Sequence, residues 1–229
     1  MSHPVPQRGP RPRLDRDQIV RAATELISEQ GVDGLTMRRV GQALGVEAMA
    51  LYRYVSGREE LLEAVIDHLL SSVARQVTDL QPTSWQGYLQ TLAHEMRRMA
   101  QEHPAAFPLA ATRHPAAPWL RPPLRSIELV ENFLLALTDA GFDDAGAVDA
   151  YKLFTTFLVG SLLLEVAAHG SDIADADTAK VEERETSLRE PLAKAPHVVR
   201  MRDRLSQDSS TQEFEVGLEA LIDRIERTF

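Results

Sequence analysis

The stretch from residue 36 to residue 58, TMRRVGQALGVEAMALYRYVSGR, limits the fold of this chain more than any other. Thr36 carries the hydroxyl group that helix N-caps use. Val40 and Leu44 stand four residues apart, as on one buried face of a helix. Gly45 suits the left-handed backbone that ends such a helix. The spacing predicts a short helix, a tight turn and a second short helix.

The second of these helices, over residues 47–54, has an unusual outer face. Leu51 and Val55 turn inward. After Glu47 at its start, the remaining side chains are not acidic but small, apolar, aromatic or basic, namely Ala48, Met49, Ala50, Tyr52 and Arg53. A DNA major groove repels carboxylates and presents thymine methyl groups, so it accommodates such a face. The next residues, SGRE from Ser56 to Glu59, have the pattern of a capping box, which predicts a long third helix.

From Leu14 to about residue 73, the chain resembles the DNA-binding domain of the tetracycline-repressor (TetR) family. The matching segments are LDRDQIVRAATELISEQG, GLTMRRVGQALGV and ALYRYVSGREELLEAV. This resemblance implies an all-α protein with an N-terminal three-helix, helix-turn-helix domain followed by a helical ligand-binding and dimerisation domain. It implies a transcriptional regulator, most often a repressor in this family.

The resemblance also implies which side chains face DNA. They are Thr36, Met37, Arg38, Ala48, Met49, Ala50, Tyr52, Arg53, Tyr54 and Arg58. Arg38 is the best candidate for base readout, because a guanidinium group pairs with O6 and N7 of guanine. Arg58 stands at a helix N-terminus and is expected to hold a phosphate. For Tyr52 the alternative is packing in the core.

The net charge of −9 is unfavourable for binding DNA, but it is unevenly distributed. Residues 1–58 hold nine Lys and Arg against six Asp and Glu, whereas residues 59–229 hold sixteen against twenty-eight. The basic part coincides with the predicted DNA-binding segment. The acidic remainder favours solubility and discourages that part of the chain from lying on DNA.

We expect three regions along the chain, which are an arm over residues 1–13, a DNA-binding domain over residues 14–73 and a ligand-binding and dimerisation domain over residues 74–229. The arm is rich in proline and arginine, so we expect it to be disordered in the free protein. Two interpretations of it remain open. It either contacts phosphates or the minor groove, or is an ordinary solvated tail.

Composition excludes several classes of protein. The chain has no cysteine, which rules out disulfides, cysteine-based zinc sites and a thiol nucleophile and fits a reducing cytoplasm. The N-terminus has no apolar run of the kind that signal peptides carry. The most apolar stretch, residues 154–166, is too short to cross a membrane. We therefore expect a cytoplasmic protein without a membrane partner.

Apolar periodicity and helix caps predict the remaining elements. Helices are expected over residues 15–30, 59–80, 85–102, 124–140, 143–168 and 212–227. The segment over residues 103–123 contains six prolines, which predict short helical turns and loops. Residues 170–211 are polar and are expected to form a flexible loop, with a weak helical signal over residues 198–205.

The C-terminal part resembles the tetracycline repressor proper in SWQGYLQ, the AGF turn, the ending LLLE and the run EERET. The polar and metal-binding positions of the tetracycline repressor nevertheless align in this chain with Ala74, Leu92 and Leu109 or Ala110. These side chains cannot ligate magnesium. We therefore expect a small, largely apolar effector, with no metal or cofactor. The candidate lining residues are Met96, Met99, Phe107, Phe133, Phe154 and Phe157, for which ordinary core packing is the alternative.

The C-terminal helix carries Gly217 and many apolar residues, so it needs a packing partner. With the helix over residues 143–168 it is expected to form half of a four-helix interface in a homodimer. The candidate interface residues are Phe154, Leu158, Leu162, Phe214, Leu218, Leu221 and Ile225. A two-fold dimer would present two helix-turn-helix segments to a palindromic operator in double-stranded DNA.

Two other classes of protein are alternatives to a transcriptional regulator. An all-helical enzyme is disfavoured, because the chain has no G-x-S-x-G, glycine-rich phosphate loop or H-E-x-x-H motif. The acidic residues Asp172, Asp175 and Asp177 lack the spacing of a calcium loop, so no metal site is expected there. A protein-interaction module that has lost DNA binding stays open as the rival class.

Overall fold

Every regular element that the structure describes is an α-helix, which confirms the predicted fold class. The structure is a computed structural model that describes residues 14–112, 117–122, 124–174 and 191–228, with only the backbone given for residues 169–174. The chain divides into two compact units, Met1–Ser71 and Ser72–Phe229. The predicted arm over residues 1–13 lies outside the described residues.

Caps set the helix ends of the N-terminal unit. Asp15 forms a capping box with Gln18, and Gly31 interrupts the first helix with a φ of 71°. Thr36 accepts a hydrogen bond from the backbone N–H of Arg39, and Gly45 ends the second helix with a φ of 66°. Thr36 and Gly45 are the cap and the helix end that the sequence predicts. The helices are α1 (Arg16–Gly34), α2 (Met37–Leu44), α3 (Ala48–Leu51) and α4 (Arg58–Asp79), which extends past Ser71.

Two details of this unit differ from the predictions. The regular part of α3 ends at Leu51, and turns follow in which the Tyr54 N–H donates to the Leu51 carbonyl three residues back, at 2.9 Å. The carboxylate that returns to the Ser56 N–H, at 2.7 Å, belongs to Glu60 and not to Glu59. Because α4 begins at Arg58, Glu60 occupies the third helical position, from which a side chain reaches back across the helix start.

The C-terminal unit is built around four packed helices. They are α5 (Trp85–Glu102), α7 (Ile127–Asp139), α8 (Asp144–Ala174) and the last helix, α10 (Ser210–Thr228), with the short α6 (Phe107–Ala110) against α8 and α9 (Pro196–Leu205) between α8 and α10 in the chain. Helix α5 has its predicted bounds, with Ser84 as its N-cap. Helix α7 starts later than predicted, because Ser126 supplies the hydroxyl group that caps it.

The polar stretch over residues 170–211 was predicted to be a loop with a weak helical signal over residues 198–205. The loop prediction is wrong at its ends, because α8 continues to Ala174 and α10 begins at Ser210. The helical signal corresponds to α9, Pro196–Leu205. Residues 175–190 lie outside the described part of the chain. Helix α8 is also long and apolar enough to cross a membrane by length and composition, over Asp144–Ala168, which corrects the shorter estimate made from the sequence. A core helix of a soluble bundle passes the same test.

Candidate nucleic-acid interface and effector site

The turn between α2 and α3 holds these two helices in a fixed relation. Val40 on α2 and Leu51 on α3 are fully buried. The backbone N–H of Val46 donates to the carbonyl of Gly41 at 2.9 Å. With its inner side fixed in this way, the other side of α3 and its following turn are left in solvent. Met49 is 75% exposed and Tyr52 is 46% exposed.

The candidate DNA-binding side chains fall mostly on this exposed surface. Thr36, Arg38, Arg53 and Tyr54 are exposed, and Ala48 and Ala50 are half-buried. The exposure of Tyr52 removes the alternative that its side chain is part of the core. Arg38 has no hydrogen-bond or ion-pair partner among the described residues, whereas its neighbour Arg39 donates to the Gly34 carbonyl at 3.1 Å. Of these two arginines, Arg38 is the one free to meet a ligand.

Two of the candidates are placed differently. The Met37 side chain is only 9% exposed and belongs to the core of the N-terminal unit, which corrects the outward orientation expected for it. Arg58 is half-buried and donates from Nε to the Leu35 carbonyl and from Nη2 to the Val32 carbonyl, each at 2.9 Å. Arg58 therefore ties the start of α4 to the end of α1. A phosphate contact by Arg58 stays a prediction.

Three of the candidate effector-binding residues lie in two aromatic clusters of the C-terminal unit. Phe133 and Phe154 contact each other with ring centroids 5.3 Å apart. Phe157 instead stacks on Phe214 at 5.9 Å. Met96, Met99 and Phe107 are buried on α5 and α6, and Phe157 is half-buried. An effector role for these residues stays a prediction.

The described residues supply no ligands for a magnesium chelate at the positions expected from the tetracycline repressor. Ala74, Leu92 and Ala110 are buried and carry neither oxygen nor imidazole. Within the described part of the chain, no group of three His, Cys, Asp or Glu side chains could hold a metal ion. The side chains of His169, Asp172, Asp175 and Asp177 lie outside that part.

The predicted dimer interface requires a correction. Six of its residues are at most 3% exposed within their own chain, so they cannot face a second copy, namely Phe154, Leu158, Leu162, Phe214, Leu218 and Ile225. Only Leu221 is half-buried. The apolar periodicity correctly identified buried positions, but not what covers them. These side chains pack inside the bundle, because α8 and α10 contact each other and α5.

A different face of α8 and α10 is apolar and uncovered. Leu153 and Leu164 on α8 are 44% and 74% exposed, and Val216 on α10 is 58% exposed. Between the two leucines, Phe157 and Gly160 continue the spacing of four, three and four residues, which keeps all four on one side of the helix. We call Leu153, Phe157, Gly160, Leu164 and Val216 the outer stripe.

A buried ion pair, missed in the sequence analysis, joins three helices of this unit. Arg97 on α5 donates to both carboxylate oxygens of Glu165 on α8 at 3.0–3.2 Å, and both side chains are below 10% exposed. Gln101 donates to the same carboxylate at 2.8 Å. Arg97 also donates to Thr211 on α10 at 2.8 Å. An acidic residue in the apolar part of α8 required such a partner.

Comparison with known proteins agrees with this architecture. Residues 19–65 match the family model of bacterial regulatory proteins, tetR family, and residues 79–229 match the model of the tetracyclin repressor-like, C-terminal domain. The tetracycline repressor protein class D of Escherichia coli is 31% identical over 212 residues, which cover 92% of this chain and 88% of the relative.

Solved structures give the same result. A possible TetR family transcriptional regulator from Streptomyces coelicolor A3(2) superposes with a TM-score of 0.71 at 29% identity, covering 94% of this chain and all of that one. The S. coelicolor TetR family protein ActR, in complex with actinorhodin, superposes with a TM-score of 0.68 at 25% identity, covering 94% and 98%.

An exposed helix-turn-helix surface on one unit and a helical bundle with an aromatic core in the other define a one-component regulator, in which one chain both reads DNA and senses a ligand. This chain belongs to the TetR family of bacterial transcriptional regulators. It is a ligand-responsive repressor of that family and not an enzyme.

Proposed function

We propose that this protein acts as a homodimer that binds a palindromic operator in double-stranded DNA and is released from it by a small, largely apolar effector. The observation that carries the proposal is the pairing of the exposed surface of α3, whose helical residues Ala48–Leu51 include no acid although its exposed N-cap is Glu47, with an arginine, Arg38, that has no partner among the described residues. Such a surface suits a major groove. We place the protein in the cytoplasm, where an operator is accessible.

Base readout is assigned to Arg38, and contact through shape and methyl groups to Ala48, Met49 and Ala50. Tyr52, Arg53 and Tyr54 supply hydroxyl groups and charge for phosphates, and Thr36 lies beside them. Arg58 can still place its remaining terminal nitrogen near a phosphate. Its two bonds to backbone carbonyls make the fixing of α1 against α4 its first role.

The effector is assigned to the C-terminal unit, where apolar and aromatic side chains converge from α5, α6, α7 and α8. Of the solved relatives, ActR is described in complex with actinorhodin. That comparison supports a small-molecule effector here. The apolar side chains at Ala74, Leu92 and Ala110 argue against a magnesium chelate as that effector.

Dimerisation is assigned to the outer stripe. Its exposed leucines and valine lose contact with water when two copies meet, which is favourable by about 25 cal/mol for each Å² of apolar surface that is buried. A two-fold axis through this face makes a four-helix contact from α8 and α10 of each copy. Two identical DNA-binding units then match the two halves of a palindrome.

The mechanism is a shift between two populations of the dimer. In one, the spacing of the two α3 segments fits successive major grooves. An effector that binds the C-terminal units favours a different tilt of α4, in which that spacing no longer fits the operator. The effector needs only a difference in affinity between the two states.

Selection of binding sequences from random duplexes tests this function. Repeated rounds with the full chain should enrich a palindrome. Its affinity should fall steeply with salt, because each neutralised phosphate contributes about −0.9 to the slope of log K against log salt concentration. A thermal-shift screen of apolar small molecules, repeated with that duplex present, then identifies effectors. Failure to enrich any sequence would leave the rival interpretation, a protein-interaction module.

A further inference from the structure

The side chain of Tyr88 has an unusual orientation, because its hydroxyl group is buried. Tyrosine side chains normally bury the ring and turn the hydroxyl group toward water. In α5 the residue as a whole is only half-buried, yet its Oη atom is inaccessible to solvent. That oxygen has no hydrogen-bond partner among the described residues. A buried hydroxyl group without a partner is unfavourable, and folded proteins keep few such groups.

The surroundings of this hydroxyl group are aromatic. The Tyr88 ring meets Phe133 on α7 edge to face, with centroids 6.5 Å apart. On the other side of Phe133 lie Phe154 and Tyr151 of α8, at 5.3 and 5.5 Å. Three helices, α5, α7 and α8, therefore converge on one ring. Two of the residues in this cluster, Phe133 and Phe154, are candidates for contact with the effector.

A second tyrosine in the same cluster provides an internal comparison. The Tyr151 hydroxyl group donates to the carbonyl of Pro122 at 2.9 Å, so its hydrogen-bonding capacity is used within the protein. The Tyr151 side chain also lines a surface groove of about 320 Å³ beside Trp119, Leu120 and Val130. The cluster thus holds one satisfied and one unsatisfied hydroxyl group, and Tyr151 is its ring that lines the groove.

We propose that the Tyr88 hydroxyl group is the polar anchor of the effector site, and that it selects a neutral, planar aromatic effector bearing a carbonyl or hydroxyl oxygen. This proposal rests on the proposed ligand response. The hydroxyl group both donates and accepts, and it can pair with either kind of oxygen. Burial and the nearby Glu128 carboxylate raise the pKa of Tyr88, which keeps it protonated. The same carboxylate disfavours an anionic effector.

The test uses two probes that differ by one oxygen, 2-naphthol and naphthalene, with the full-length chain. In the wild type, the hydroxyl group of 2-naphthol supplies the hydrogen-bond partner that the Tyr88 hydroxyl group lacks. Tyr88→Phe removes the anchor and keeps the ring. The ratio of the Kd for naphthalene to the Kd for 2-naphthol, from calorimetric titration, should fall about tenfold in this variant, as for one hydrogen bond. The affinity for naphthalene itself should not change.

Tyr151→Phe is the matched control. It removes a satisfied hydroxyl group from the same cluster, so its melting temperature should fall while the probe ratio stays at the wild-type value. The melting temperature of Tyr88→Phe should be equal to or higher than that of the wild type, because an unsatisfied polar group is removed.

Three outcomes would overturn the proposal. They are an unchanged probe ratio in Tyr88→Phe, equal ratios in the two variants, or no binding of either probe to the wild type. An unchanged ratio together with a lower melting temperature for Tyr88→Phe would mean that a buried water satisfies the hydroxyl group. Neither tyrosine belongs to the DNA-binding surface, so both variants should bind the selected duplex as the wild type does. Gel-shift titration measures this binding and so distinguishes failure of the Tyr88 proposal from failure of operator binding.

Discussion

Two neighbouring arginines on α2 differ in what their side chains contact. Arg39 bonds to the carbonyl of Gly34 and supports the end of α1. Arg38 is exposed and has no partner among the described residues. A side chain that is not used in the fold is available for recognition at no cost in stability. This difference, and not the charge that the two residues share, singles out Arg38.

Replacing Arg38 with alanine should relax base preference and weaken operator binding by about 1–3 kcal/mol, the range for one bidentate contact to guanine. The unfolding temperature should remain that of the wild type. Arg39→Ala is the matched control, and it should lower the unfolding temperature with base preference intact. Gel-shift titration against the selected duplex and its single-base variants measures both. Wild-type discrimination by Arg38→Ala would remove this residue from base readout.

Glu60 makes the start of α4 sensitive to pH. Hydrogen bonding to the backbone and side chain of Ser56, followed by the charge of Arg16 at 3.7 Å, holds the pKa of the Glu60 carboxyl group below its ordinary value of 4.5. A carboxylate with a lowered pKa in the folded state stabilises the fold above the ordinary value. That contribution is lost as the pH falls through the lowered pKa.

The variant Glu60→Gln should therefore melt below the wild type at neutral pH, with a gap that closes as the pH is lowered from about 6 to about 3. Melting curves by circular dichroism across this range give the gap directly. Glu59→Gln, a neighbouring exposed carboxylate without this hydrogen bond, should show a smaller gap. A gap that is independent of pH would mean that the carboxylate does not act through its charge.

At the scale of helices, the C-terminal unit depends on a polar contact inside an apolar bundle. Arg97, Glu165 and Thr211 link α5, α8 and α10, and the Arg97 guanidinium also lies 4.9 Å from the centre of the Phe214 ring. The attraction between two buried charges is largely offset by the loss of their hydration. Removing one partner, however, leaves a buried charge without compensation.

Glu165→Leu should lower the free energy of unfolding by about 3–5 kcal/mol, because the buried Arg97 loses its buried carboxylate and keeps only its bond to Thr211 and a 3.9 Å contact with the exposed Glu215. The double variant Arg97→Met with Glu165→Leu should recover most of this loss, since both charges are replaced by apolar groups of similar volume. Urea denaturation of the two variants and the wild type gives the comparison. Equal losses for the single and double variants would show that lost packing, not the unpaired charge, causes the effect.

At the scale of the whole molecule, the proposed dimer depends on the outer stripe. The outer stripe is an apolar surface of α8 and α10 that the described helices of the bundle leave partly exposed. The residues first expected at the interface, such as Leu158 and Leu218, are already buried within one chain. The two groups of residues therefore predict different behaviour on substitution.

A charge at Leu164 should convert dimers to monomers without loss of helix. Leu164→Glu places two like charges across the proposed two-fold contact, where desolvation and repulsion both oppose association. Light scattering after gel filtration measures the mass. Leu135→Glu on α7, also at an exposed leucine but outside the outer stripe, should stay dimeric. A dimeric Leu164→Glu, or a monomeric wild type, would contradict the proposed interface.

The sequence by itself determined the elements and the family. Asp15, Thr36, Gly45 and Ser84 act as caps or stops because such signals depend on a few adjacent residues. The helix-turn-helix is equally local, since the starts of α2 and α3 are eleven residues apart. The family resemblance was carried by these same local segments, and the family models confirm it.

Only the tertiary structure decided which buried residues contact one another. Apolar periodicity predicts that Leu158 is buried, but it cannot say whether its own chain or a second copy covers it. The family resemblance placed Met37 against DNA, although its own unit buries it. The pairing of Arg97 with Glu165, 68 residues apart, and the unpaired hydroxyl group of Tyr88 depend on how three helices converge. The physical reason is that burial and polar pairing are properties of contacts between distant segments, which are fixed by packing.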